Sequence, residues 1–166
     1  MARVWIIAPY DSAESELFET AWNFDLKNNT IAMGWHELGD ISKLERSDLE
    51  NAYKETYADE KTKALTTRGI NALWAFYHEI KEGDIIVARK GRKKILSIGK
   101  VIGSAYHDEK KGKERIGNDQ AYFYPNFIPV AWDGKEIEFD RQVFSFYTIY
   151  EIEEVKLDGL LNERIQ

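Results

Sequence analysis

The chain has no cysteine, three prolines and three histidines in 166 residues, and each scarcity removes a class of function. Without cysteine there is no disulfide framework, no Cys-ligated zinc or iron–sulfur site and no thiol nucleophile. His36, His78 and His107 stand far apart in sequence, which argues against a histidine-rich metal site. No stretch approaches the ~20 apolar residues that span a bilayer. The apolar run at residues 4–8 stops at Pro9, shorter than the ~7–15 residues of a signal core. The expectation is a cytoplasmic protein with no membrane partner, no metal and no cofactor.

What is present fits one ordinary domain over residues 1–166: 43% of residues are hydrophobic, 31% charged and 13% aromatic. At this size a folded chain buries roughly 70% of the surface that it exposes when unfolded, so a core forms without metal or disulfide support. The net charge of −6 argues against coating nucleic acid by bulk attraction, but the charge is unevenly placed. Residues 11–60 hold 13 acids and 4 bases, whereas residues 89–115 hold 10 bases against Asp108, Glu109 and Glu114. Arg89, Lys90, Arg92, Lys93, Lys94, Lys110 and Lys111 in this stretch are candidates for phosphate contacts, where each neutralised phosphate makes binding salt-sensitive. A solvated, charged hairpin is the plainer reading of the same run.

Residues 3–8 read as a strand ended by Pro9. Asp11 and Glu14 have the spacing of a capping box ahead of Leu17, Phe18, Ala21 and Trp22, which share a helix face. Asn28-Asn29 breaks that helix and residues 30–35 form a second strand. Asp40, or a Ser47/Glu50 box, then opens helical sequence with Ile41, Leu44, Leu49, Ala52 and Tyr53 on one face. The clearest helix carries Ile70, Leu73, Trp74, Tyr77 and Ile80, with Gly83 as its left-handed stop. Residues 84–89 and 94–106 read as β around the basic turn at 90–93, and residues 108–120 as a surface loop. Residues 121–132 read as β, confined partly to an edge by Pro125 and Pro129. Asp133-Gly134 is a turn, residues 146–152 a last strand, and 153–166 a helical tail from which a further domain could continue. The class is α+β, with helices between the second and third strands and a run of antiparallel strands curling into a small barrel.

Most catalytic motifs fail. Gly91 and Gly99-Lys100-Val101 lack both the spacing and the hydroxyl of a phosphate-binding loop, and no Gly-x-Ser-x-Gly elbow occurs. Glu79-Ile80-Lys81 and Glu154-Val155-Lys156 carry the letters of a nuclease pattern but fall at a helix end and in the tail helix. The aromatic content, 5 Trp, 9 Tyr and 8 Phe, serves the core for the most part. Tyr10, Trp35 and Tyr106 differ, because each lies at or just beyond a strand end where a ring can face a ligand.

Val4-Trp5-Ile6-Ile7-Ala8-Pro9-Tyr10, a helix, and Ile31-Ala32-Met33-Gly34-Trp35 together resemble the opening of EVE and YTH domains of the PUA-like superfamily. The block from Asn71-Ala72-Leu73-Trp74 to Glu82-Gly83-Asp84 is similar to EVE-like modules of modification-dependent restriction proteins of McrB type. Ile98-Gly99-Lys100-Val101, Val130-Ala131-Trp132 and Thr148-Ile149-Tyr150-Glu151-Ile152 match later strands, so the resemblance covers residues 3–152. It implies a small PUA-like antiparallel β-barrel flanked by helices, with a pocket for one extruded, modified base. By that resemblance Trp35 is the first cage aromatic, His36 its base-touching neighbour, and Pro9 and Tyr10 contact the base edge. Tyr106, Tyr122 or Trp132 supplies the second wall, and Asp133 a polar contact. Ala8-Pro9 stands where YTH domains carry a polar pair, which weakens the implied preference for RNA.

The resulting expectation is a non-enzymatic DNA-binding specificity module that flips a methylated base, N6-methyladenine ahead of modified cytosine, out of double-stranded DNA. Its implied partners are a fused or associated AAA+ motor and a nuclease. Two alternatives stay open. One is a metal-dependent nuclease or base-processing enzyme using Asp133, Glu136 and Glu138, whose alternation is equally that of a half-exposed strand. The other is an RNA-binding reader or a protein-interaction module on the same fold.

Overall fold

The computed structural model describes residues 2–60, 62–118 and 122–165. Eight strands form one curled sheet: β1 (Val4–Ile7), β2 (Thr30–Met33), β3 (Ile85–Lys90), β4 (Lys94–Val101), β5 (Tyr106–His107), β6 (Asn126–Trp132), β7 (Ile137–Glu138) and β8 (Ile149–Ile152). Their order is β2-β6-β4-β3-β1-β8, with β5 on β6 and β7 on β4. Five helices surround it: α1 (Ser15–Asn28), α2 (Arg46–Thr56), α3 (Lys63–Trp74), α4 (Glu109–Arg115) and α5 (Glu154–Ile165). The α+β class, the curled sheet and the helices between β2 and β3 are as expected. One pairing departs from an antiparallel barrel, since β1 runs parallel to β3 while β8 covers its other side antiparallel.

β1 is buried at all four residues because the sheet is covered on both faces. Successive side chains point to opposite faces. Trp5 and Ile7 enter the core beneath α1, α2 and α3, and Val4 and Ile6 join Val87, Ile95, Phe139 and Phe144 with Leu157 and Leu160 of α5. The indole of Trp5 donates to Asp84 at 3.1 Å, and Asp84 also accepts from the backbone of Arg3 and Lys81. One buried carboxylate thus ties β1 to the turn before β3.

Several local readings are corrected. The Asp11/Glu14 capping box does not form: Asp11 closes a turn by accepting from the Ala13 amide, and α1 starts after Glu14 without a side-chain cap. α2 starts at Arg46, one residue ahead of Ser47, while Asp40 closes its own turn on Ser42. α3 does not run to Gly83. It widens into a π turn (Ala75–Glu79), in which Ile80 donates to the Ala75 carbonyl, and Gly83 (φ 95°) instead shapes the turn into β3.

Residues 108–118 are not a surface loop. Asp108 caps α4 by accepting from Lys111, and Gly112 lies so close to Tyr124 that a Cβ would stand 2.7 Å from its carbonyl oxygen. Residues 119–121, part of the expected loop and strand, lie outside the described residues, as does residue 166 of the tail. β6 is interior rather than an edge: residues 126–129 pair with β2 and residues 130–132 with β4. Pro129 is tolerated because it sits where the strand changes partner, and its carbonyl still accepts from Ile102. The last strand starts at Ile149, leaving Phe146 and Tyr147 exposed ahead of it.

The deepest polar contact joins α4 to α1. Arg115 grips both oxygens of Asp25 at 3.0 and 2.7 Å, and both side chains are fully buried. Thr30 donates to the same carboxylate, and Arg115 also donates to the Pro9 carbonyl at 2.6 Å. A buried pair is favourable only as far as its remaining valences are met; here Nε and Nη2 of Arg115 are used, while its Nη1 is buried without a hydrogen-bond partner among the described residues.

No helix among the described residues is long and apolar enough to cross a membrane.

Candidate functional site

The end of β2 carries the site. Asn126, buried at the start of β6, donates to the carbonyls of Gly34 and Met33 and accepts from the Tyr77 hydroxyl of the π turn. The next residue, Trp35, has φ 62° and ψ 45°, a left-handed conformation that a bulky residue adopts only when its surroundings enforce it. Here they do. Its indole N–H donates to the Tyr53 hydroxyl at 3.2 Å, and that hydroxyl donates to Glu60 at 3.3 Å. Tyr53 in turn fits only because α3 has glycine at position 69, where a Cβ would fall 2.1 Å from the tyrosine oxygen.

Trp35 opens onto a cavity of about 300 Å³. Its walls include His36, Tyr57, Tyr122, Phe123 and Tyr124, with Glu37 and Thr148 as polar members. The His36 ring lies 4.7 Å from Phe123 and 5.6 Å, edge-on, from Tyr122. Glu37 fixes the rim by accepting from the Tyr57 hydroxyl at 3.1 Å and standing 3.0 Å from His36 Nδ1. Tyr10 stacks on Tyr124 with centroids 4.9 Å apart, and the Arg115 guanidinium is 5.4 Å from the Tyr124 ring. Burial pushes the Tyr53 and Tyr124 hydroxyls up to about 12, and it raises Tyr57 further with help from Glu37. These phenols are neutral near pH 7, so the cavity presents π faces and hydrogen-bond groups rather than an ionised base.

Of the expected site residues, Trp35, His36 and Tyr122 come together here, and Tyr10 supports the wall from behind through Tyr124. The Pro9 carbonyl is occupied by Arg115. Tyr106 stacks on Phe127 and accepts from Lys111 at 2.6 Å, outside the cavity walls. Trp132 is elsewhere. It stands six residues along β6 from Asn126, about 20 Å at strand rise, packs edge-on against Trp22 and donates to the Thr30 carbonyl. Asp133 beside it accepts from Ser97, Ile98 and Lys135 and so shapes a turn. Of the other acids in the catalytic alternative, Glu136 pairs with Lys94.

The basic stretch does not form one free stripe. Arg89 is buried and donates to the carbonyls of Gly91 and Tyr147, which removes it from any phosphate role. Lys90 pairs with Glu19, Lys94 with Glu136 and Lys113 with Glu109, and Arg92 donates to the Phe144 carbonyl. Lys93 and Lys110 are without a carboxylate partner among the described residues. α4 borders the cavity, because the Lys113 ammonium lies 5.1 Å from the Phe123 ring.

Sequence reading missed Tyr53, Tyr57, Phe123, Tyr124 and Asn126. The contiguous Tyr122-Phe123-Tyr124 was visible, but alternation along a strand would have sent its middle ring to the opposite face. The segment is irregular instead, since Pro125 precedes the first ladder pair of β6.

No curated protein matches the chain. Among solved structures it is similar to the YTH domain of the Zygosaccharomyces rouxii MRB1 protein, solved in complex with N6-methyladenosine RNA. That match has 10% identity and a TM-score of 0.48, and covers 98% of this chain and 86% of that one. A family profile matches residues 5–153, nearly the whole of the curled sheet and its helices, and the chain belongs to that family, described as Domain of unknown function (DUF8426).

Proposed function

We propose that this protein is a non-catalytic specificity module for a methylated base in DNA, N6-methyladenine ahead of modified cytosine. The base is flipped into the Trp35 cavity. The observation that carries this reading is the grouping of Trp35, His36 and Tyr122 around about 300 Å³ at the end of β2. The resemblance of residues 3–152 to EVE and YTH readers, which singled out these residues, supports it.

A flipped base offers two π faces and one informative edge. Flipping costs a few kcal/mol, and stacking on an aromatic returns about 1–3 kcal/mol per base, so phosphate contacts complete the affinity. Lys113 on α4, 5.1 Å from the Phe123 ring, borders the cavity for that purpose, with Lys110 and Lys111 on the same helix and Lys93 on the β3–β4 turn as further candidates. Burying one methyl contributes only about 0.8 kcal/mol, roughly fourfold. Larger discrimination comes from a tight wall that denies water to an unmethylated amine. In this reading the module works in the cytoplasm with an AAA+ motor and a nuclease of a modification-dependent restriction system.

The test is fluorescence-polarisation binding to matched duplexes carrying adenine, N6-methyladenine, cytosine or 5-methylcytosine, at two salt concentrations. Tighter binding of the N6-methyladenine duplex is the expected result. Equal binding of all four overturns the reading, and selectivity for the same base only in single-stranded RNA transfers the site to an RNA reader.

A further inference from the structure

Trp35 and Thr148 also line a second cavity, of about 240 Å³, on the side of Trp35 towards α3. Its other walls include Tyr53, Leu65, Arg68, Phe146 and Tyr147, and it contains Glu60. Glu60 is the unusual member. Its Oε1 accepts from Tyr53, but its Oε2 is buried with no hydrogen-bond partner among the described residues. A buried carboxylate oxygen left unpaired is costly, so it marks a place where a donor from outside is accommodated.

At the mouth, the Arg68 guanidinium lies 4.3 Å from the Tyr147 ring centroid and has no carboxylate partner among the described residues. Arg68, Ala72, Tyr147 and Ile149 continue into a wider groove of about 830 Å³ that also carries Lys63. An acceptor lies inside among aromatic and apolar walls, and two cations, Arg68 and Lys63, stand in the outer groove, whose two acids, Glu79 and Glu151, are both engaged by Arg3.

We propose that this cavity is a second nucleotide site selective for guanine, with Glu60 reading the base and Arg68 and Lys63 facing the phosphate. A carboxylate only accepts hydrogen bonds. Guanine presents two adjacent donors, N1–H and the N2 amine, for the free Oε2 and for the second lone pair that Oε1 keeps beside its bond from Tyr53, whereas adenine and cytosine set one amine beside an acceptor, and thymine and uracil flank one N–H with carbonyls. The tyrosine and tryptophan rings stack with any base, so selectivity rests on Glu60. A free guanine nucleotide and a guanine within a bound strand share this chemistry. The proposal shares Trp35 with the modified-base cavity but does not depend on it.

The experiment is calorimetric titration of the whole chain with GMP, guanosine, AMP, CMP and UMP, alongside polarisation binding of thymine-only single strands with and without one guanine. GMP should bind at least about tenfold more tightly than the other monophosphates, the discrimination expected of a paired donor contact. Glu60→Gln should erase that margin, and Arg68→Gln should weaken GMP while leaving guanosine unchanged. GMP binding without a guanine effect in the strand assigns the site to a free nucleotide. A guanine effect that Glu60→Gln erases, with GMP too weak to measure, assigns it to a strand residue. No guanine preference in either assay overturns the proposal, as does a folded Glu60→Gln protein with selectivity intact. If Glu60→Gln does not fold, the split between GMP and guanosine in Arg68→Gln decides. The ratio of N6-methyladenine to adenine binding is read separately on duplexes, so either site can fail alone.

Discussion

The indole N–H of Trp35 donates to the hydroxyl of Tyr53 at 3.2 Å, so the ring at the end of β2 is aimed by a residue of α2. Trp35→Ala should abolish modified-base preference and leave the far-UV circular dichroism unchanged. Tyr53→Phe should keep the fold, cost about 1–2 kcal/mol by unpairing that N–H, and reduce the preference severalfold. Collapse of the dichroism in Trp35→Ala would assign the ring to the core.

Gly69 is the steric condition for that arrangement. A Cβ there would meet the Tyr53 oxygen at 2.1 Å and its ring at 2.5 Å. Gly69→Ala should therefore destabilise by about 1–3 kcal/mol through overpacking. Gly159 in α5 has nothing within 4 Å of the same construction, and Gly159→Ala should stabilise by about 0.5–1 kcal/mol. Thermal melts of the two variants in opposite directions are the expected result, and a neutral Gly69→Ala would contradict the packing.

Arg115 and Asp25 are fully buried, and removing one leaves the other charge unpaired. Arg115→Met should cost about 3–5 kcal/mol in urea denaturation, and Arg115→Met combined with Asp25→Leu should cost less than the single change. Additive losses would mean that the two side chains act independently.

The cations divide into structural and surface groups. Arg89→Ala should lower stability by about 3 kcal/mol, because its contacts to the Gly91 and Tyr147 carbonyls are charge-assisted and buried. Lys93→Glu and Lys110→Glu should leave the melt unchanged and flatten the salt dependence of DNA binding by about one phosphate each. An unchanged slope would return both to an ordinary solvated surface.

The raised tyrosines predict alkaline sensitivity. Tyr53 and Tyr124 ionise near 12 in the folded protein, above the unfolded value of 10.0. The native state then holds more protons than the unfolded one, so their contribution is complete below pH 10 and is lost as pH rises towards 12. Denaturant midpoints from pH 9 to 12 should fall. Below about pH 11 phenolate absorbance of these two residues should appear only with unfolding, and a flat midpoint would refute the shift.

Local sequence pattern by itself determined the α+β class, β1, β2 and the helix face of Ile70 and Leu73, because these depend on side chains close in sequence. Tertiary structure decided the rest. Arg89 and Arg115 look like solvent-facing charges in a basic run, yet distant carbonyls and Asp25 take them inward, since a fixed backbone supplies acceptors that no local pattern announces. Residues 108–115 read as loop by composition, but the Asp108 cap and the fit of Gly112 against Tyr124 make a helix of them. Trp132 and Tyr122 look equivalent as cage candidates. The direction of β6 separates them, carrying Trp132 about 20 Å from the start of the strand while the irregular segment before Pro125 brings Tyr122 to His36. Residue type was legible along the chain, but which rings face one cavity was set by strand order and register.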